Sequence, residues 1–409
     1  MTLTVLTMQE RTGGDPLAII ALDLGWWRSS EEEKFLEQAV RAAGIADGRY
    51  MLALSHTHAG PVFCEGEASK PGGELIASYL IFLSEKIHQA IAEALEGAEN
   101  GLLEVATGRC SLASNRDLPD PEMERLLVGW NPAIVADETV LVGRITDESG
   151  ACRATLVNYA CHPTILAWEN TTISPDYVGA MREVVENETS APCLFLQGCS
   201  GELAPRHQYV GDPEIADRAG RSLGHAVLGI YHGMLESGLE LAFQGVVESG
   251  APLAMWTERR REVLPIKISA TSLRFELPLK LGYPTLEELE HQIETCTDRV
   301  VGERLQRRLL HRRSLGESDA VPRTHQIWRV GDVIFLSLAD EAYSPMQMDL
   351  RETADYPVFL ATLTNGSRGY LAPRHSYEAA SYASDQSPYA PGCFEETLKR
   401  LRIEIAKIS

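Results

Sequence analysis

Short runs of apolar and β-branched residues alternate with longer amphipathic stretches through the first half of the chain. Leu17–Leu22, Tyr50–Ser55, Leu103–Thr107, Ala154–Tyr159 and Cys193–Leu196 read as strands. Between them Glu31–Ala43, Glu74–Leu95, Tyr177–Glu186 and Pro213–His232 carry apolar residues at helical spacing. This alternation predicts an α/β (or α+β) fold, a layered mixed β-sheet with flanking helices. The second half is less regular. It holds a charged helix from about Leu286 to Arg313 and strands at His325–Val330, Val333–Leu338 and Val358–Leu363, with Gly331-Asp332 as a two-residue hairpin turn; Phe394–Ala406 closes the chain as a helix. No repeat or low-complexity linker interrupts the pattern. The economical reading is one domain over residues 1–409 with a partly helical insertion at 250–315.

At 409 residues and 44% hydrophobic content, a sizeable core is expected. The 37 basic and 58 acidic residues give a net charge of −21, which argues against nucleic acid and anionic membrane surfaces as partners. Basic residues cluster once, from Glu303 to Arg313, but alternate with Leu305, Leu309 and Leu310 and read as a solvated helix face. No run is long enough to span a bilayer, and Met1–Asp15 lacks the charge and apolar pattern of a leader, so a cytoplasmic chain without stable membrane insertion is expected. The eight cysteines include no CxxC pair and read as reduced, mostly buried thiols. A homo-oligomer is compatible with all of this.

The chemistry concentrates at strand ends. Leu54-Ser55-His56-Thr57-His58-Ala59-Gly60-Pro61 places two imidazoles one residue apart where a strand meets a Gly-Pro break, and His162 repeats the arrangement before Pro163. Glu341 follows the strand Val333–Leu338, and Tyr370 lies in Gly369-Tyr370-Leu371. Two imidazoles, a carboxylate and an exchangeable fourth position make a hydrolytic zinc site. Neighbours on an extended strand point to opposite faces, so His58 shares a cavity with His56 only if the chain bends, and a turn at Thr57–Pro61 is expected to do this. Trp26, Trp27 and Trp168 follow strand ends and are candidates for the wall of an apolar pocket. Ser200 fails the spacing of a nucleophile elbow, and Cys161 points away from His162.

From about Ala18 to Gly392 the chain resembles the neutral ceramidase family. The resemblance is carried by Ser55–Pro61, Asn115-Arg116, the segment from His162 to Ser174-Pro175-Asp176-Tyr177, Gln197–Pro205, Glu341, and the tyrosines Tyr370, Tyr377 and Tyr382 at spacings of seven and five. It implies a zinc ion (Zn2+) held by His56, His162, Glu341 and Tyr370, with His58 as the neighbouring acid/base, Arg116 facing substrate and Tyr382 near the scissile carbonyl. The implied activity is zinc-dependent hydrolysis of an N-acyl amide by a zinc-activated water, on a small-molecule or lipid-like substrate. An esterase or lactonase using the same site, and a non-catalytic zinc-containing binding protein, remain as alternatives. Alanine at position 204 stands where the family has a serine once considered a nucleophile, which excludes covalent catalysis from that position. The resemblance also extends no further than a catalytic domain: no immunoglobulin-like C-terminal domain is expected.

Overall fold

A computed structural model describes residues 1–27, 30–262 and 265–408. Leu17–Leu22 organises the first layer. It pairs antiparallel with Leu3–Met8 and parallel with Tyr50–Leu54. The parallel partners are joined through the helix Ser30–Ala42, whose first turn sets Glu31, Glu32 and Glu33 at the positive end of its dipole. Alternation along the strands sends each face to a different core. Leu17, Ile19 and Met51 pack with Leu156, Leu194, Phe335 and Phe359, while Ala18, Ile20 and Leu52 pack with Leu80, Leu83 and Ile87 of the helix Ile76–Glu96.

A second sheet runs Cys193–Gln197, Cys152–Tyr159, Thr139–Asp147, Gly101–Arg109, its first pair parallel and the rest antiparallel. A third runs Ile268–Pro278, Ala320–Val330, Val333–Ser337, Val358–Ala361, with its last pair parallel. The Asn158 side chain joins these two sheets. Its Nδ2 donates to the carbonyls of Leu196 at 2.8 Å and Leu360 at 3.0 Å, and its Oδ1 accepts from Leu360 N at 3.0 Å. The result is the layered, mixed α/β architecture expected, with helices on the outside.

Three departures from the sequence pattern have local causes. The charged helix is broken into Leu286–Thr295 and Arg299–Leu315, because Asp298 caps the second helix by accepting from Val300 N and Val301 N. Leu3–Met8 forms a half-buried edge strand that its short mixed sequence did not announce. Leu239–Glu248 and Pro252–Arg260 form a two-stranded ribbon whose second strand is exposed along its whole length. The hairpin at Gly331-Asp332 forms as expected, with Gly331 at φ 59°.

His56, His162 and Glu341 follow the strands ending at Leu54, Tyr159 and Ser337 by two, three and four residues. Strand C-terminal ends are where open α/β sheets place ligands.

Candidate metal centre and substrate cavity

The backbone turns at His56 itself, which has φ 70°, a left-handed conformation costing a non-glycine residue about 1–2 kcal/mol. His56 N donates to Leu24 O at 2.9 Å and its Nδ1 to Gly25 O at 2.9 Å, which holds the strained turn. The bend therefore lies one residue before the expected Thr57–Pro61 turn. It has the effect required of it: the His56 and His58 rings share one cavity with centroids 4.9 Å apart. His58 N donates to Pro163 O at 3.2 Å, tying this segment to the one carrying His162.

His162 is fully buried, its Nδ1 between the carbonyls of Ser200 at 2.7 Å and Leu203 at 3.0 Å. Both His56 and His162 thus commit Nδ1 to backbone carbonyls, which fixes the tautomer and leaves each Nε2 with a free lone pair. Both Nε2 atoms lie 3.3 Å from the same atom, Glu341 Oε2. Burial, then the positive field of Arg116, pushes His162 down to about 3, so it is neutral at physiological pH. Burial works against an ionised Glu341, but positive charge at the His56 and His162 positions outweighs it and holds the carboxyl well below its usual range. Two ring nitrogens this close to one carboxylate oxygen could hold a cation between them. The donor set fits a divalent ion, and His56 Nε2, buried without a hydrogen-bond partner, is the orphaned atom such an ion would satisfy.

Tyr370 stands opposite Glu341 in a short parallel ladder, its ring 6.4 Å from that of His162. Burial, and then the Glu341 charge, raises its phenol well above the ordinary value. Arg116 Nη2 donates to Tyr370 OH at 3.1 Å and to Gly201 O at 2.7 Å. Tyr382 begins the helix Tyr382–Gln386, with its ring 6.0 Å from Tyr370 and partly exposed to the cavity. The seven residues singled out in the sequence therefore converge, although up to 326 positions separate them (382 − 56).

The alternative set of three imidazoles, His56, His58 and His162, also brings its ligand nitrogens within 4.8 Å of one another. His58 differs from the other two. Among the described residues no hydrogen bond anchors its ring, which lies against Trp26 at 4.9 Å and is open to the cavity. Desolvation by the surrounding protein, although its ring opens on the cavity, and then any positive charge at the His56 and His162 positions, holds it well below the usual imidazole value. A neutral, unanchored imidazole beside the centre is suited to proton transfer.

The cavity above these groups has a volume of about 440 Å³, within the range of small-molecule sites. Trp26 and Trp168 line it, but Trp27 is fully buried in the core against Phe63 and belongs to no rim. Sequence reasoning missed Tyr209 and Tyr283 on the wall, which no motif marks. It also read Arg307 and Arg308 as solvated, whereas both line the cavity from the helix Arg299–Leu315. The anchoring carbonyls of Gly25, Ser200 and Leu203 carry no side-chain signature at all. Cys161 is buried and its thiol is raised well above the usual range, so it is no nucleophile.

A scaffold with ligands at the C-terminal ends of strands and an open cavity above them is a class that hosts many chemistries. Within that class, the fold is that of solved ceramidases. The chain matches the crystal structure of the neutral ceramidase from Pseudomonas aeruginosa with a TM-score of 0.66 at 18% identity, covering 98% of this chain and 67% of that one. A ceramidase complexed with C2 matches with a TM-score of 0.65, also at 18% identity, covering 98% and 68%. No protein-family model and no curated protein matches the chain.

Proposed function

We propose that this chain is a zinc-dependent hydrolase of carboxamide bonds, with His56, His162, Glu341 and Tyr370 holding the ion. The observation that carries the reading is the pair of Nε2 atoms at 3.3 Å from one Glu341 oxygen, each with its Nδ1 locked by a carbonyl. The likeness in fold to ceramidases supports an amide, and an N-acyl amide in particular, as the bond cut. A bound divalent ion supplies Lewis acidity toward the carbonyl and lowers the pKa of water toward neutrality.

The chain's own groups do the rest. His58, facing the cavity with no hydrogen bond to its ring among the described residues, takes the proton from the attacking water at its ring nitrogen and returns it to the departing amine nitrogen. The amine cannot leave as an anion at neutral pH, so this second transfer is what separates amide from ester cleavage. Tyr382 donates its phenolic proton as a hydrogen bond to the carbonyl oxygen as negative charge develops there. Arg116 fixes Tyr370 through Nη2 and Gly201 O through Nε and Nη2, and its Nη1, which has no hydrogen-bond partner among the described residues, faces substrate from the cavity lining. Ser200 is buried, accepts from Gln197 Nε2 at 2.7 Å and does not line the cavity, so no nucleophilic role is assigned to it.

The test uses matched N-acyl amide and ester substrates with zinc-loaded protein. Wild type is expected to cleave the amide, and His58→Ala to lose about 100- to 10,000-fold in amide kcat while losing less on the ester, which needs only the first of the two transfers. Equal losses on both substrates would sink the proton-donor role of His58, and an inert wild type would sink the hydrolase reading.

A further inference from the structure

The charge of the cavity runs against that of the chain. In a protein of net charge −21, the described lining carries Arg116, Arg307 and Arg308, and Glu341 is its sole carboxylate. Glu341 is already committed to the two imidazoles. The helix Arg299–Leu315 supplies two of these groups; of its six arginines, Arg304 is exposed and lies outside the cavity lining, and the other five fall into two sets. Arg299, Arg312 and Arg313 pair with Glu303 at 2.7 Å, Glu317 at 3.2 Å and Glu290 at 3.1 Å. Arg307 and Arg308 have no ion-pair or hydrogen-bond partner among the described residues, and both face the cavity. Arg308 is half-buried there. A guanidinium partly stripped of water and left without an anion is costly unless a ligand supplies one.

We infer that the cavity takes an amphiphilic substrate with an anionic end, a carboxylate or a phosphate, which Arg307 and Arg308 grip at the mouth while the scissile amide reaches the floor at Glu341. Trp26, Trp168, Tyr209 and Tyr382 line the intervening wall and suit an apolar middle segment. Two guanidinium groups offer parallel donors that match either anion, and an electropositive mouth on an acidic protein concentrates such ligands. Only the identity of the bond cut rests on the hydrolase reading; the anion site stands on the cavity lining.

Three probes of equal acyl length test this: N-octanoylglycine, N-octanoylethanolamine phosphate and the neutral N-octanoylglycinamide. Binding to the metal-free chain, followed by tryptophan fluorescence, is expected to be at least about 10-fold tighter for one or both anions than for the neutral amide. Which anion leads identifies the source. The double variant Arg307→Gln, Arg308→Gln is expected to bring that ratio close to one, and Arg307→Lys, Arg308→Lys to restore part of it. In the zinc-loaded enzyme kcat/KM is expected to show the same preference and the same collapse. Equal binding of all three probes by wild type would overturn the inference, as would a double variant that weakens all three alike. Anion-selective binding without hydrolysis of any probe would leave the anion site standing and remove the hydrolase reading instead.

Discussion

Two imidazole nitrogens and a carboxylate oxygen share one point at the floor of the cavity, and the groups behind them explain why they stay there. Each Nδ1 is tied to backbone, so rotation of either ring breaks a buried hydrogen bond. Behind His162, Glu202 accepts from Ser344 N at 3.0 Å on both oxygens and also contacts Ser344 Oγ. Burial outweighs these bonds and lifts its carboxyl from 4.5 to about 7. A folded-state value above the unfolded one means that the folded chain holds a proton the unfolded chain releases. The associated stability is present below about 4.5 and is lost as pH rises through about 7. Glu202→Gln never ionises, so its stability should climb relative to wild type from about pH 4.5 to about pH 7 and level off above, with a limiting slope of about 1.4 kcal/mol per pH unit. A difference that stays flat over that range would show that Glu202 does not carry this proton.

At the scale of elements, the loop between the strands Cys193–Gln197 and Leu203–Pro205 bears on every part of the centre. It supplies the Ser200 carbonyl to His162, leads directly into Leu203, whose carbonyl is the second, and gives the Gly201 carbonyl to Arg116, while Gly201 N donates to Ala342 O at 2.9 Å. A Cβ on Gly201 would lie 2.5 Å from the Tyr343 ring and 3.1 Å from Glu341 O. The ring cannot yield freely, since Tyr343 is buried and its hydroxyl is bonded to Asp117 and Ser381. Gly201→Ala should therefore destabilise by about 1–3 kcal/mol. It should also lower kcat by 10-fold or more by moving Arg116, Tyr370 and Glu341 together. A variant with wild-type kcat would mean the loop does not set their geometry. Elements of this kind were only partly legible in the sequence. The long periodic segments such as Pro213–His232 and the buried runs such as Leu17–Leu22 form where the pattern puts them, because one apolar face or a wholly apolar run has one way to be buried. The edge strand Leu3–Met8 and the break at Asp298 did not show, since the first is fixed by its partner strand and the second by a single cap.

At the scale of the molecule, the centre is assembled by tertiary structure alone. Ligand candidates at positions 56, 162, 341 and 370 come from segments that share no local motif, so spacing in the sequence could nominate them but not bring them together. Asn158, bridging two sheets, and the buried Arg182 to Asp23 pair at 2.9 Å and 3.0 Å hold those segments in register. The side-chain types and the bend beside His56 were thus visible from the start, while the carbonyl anchors and the place of Arg307 and Arg308 in the cavity lining were not. The central claim is that this assembly holds one metal ion through His56 and His162 with His58 standing outside the ligand set. Elemental analysis of purified wild type, His56→Ala, His58→Ala and His162→Ala after zinc loading and desalting tests it most directly. A full equivalent of zinc in wild type and His58→Ala, with under about a tenth of that in the other two, is the predicted result. Full zinc in His162→Ala, or its loss in His58→Ala, would contradict the account.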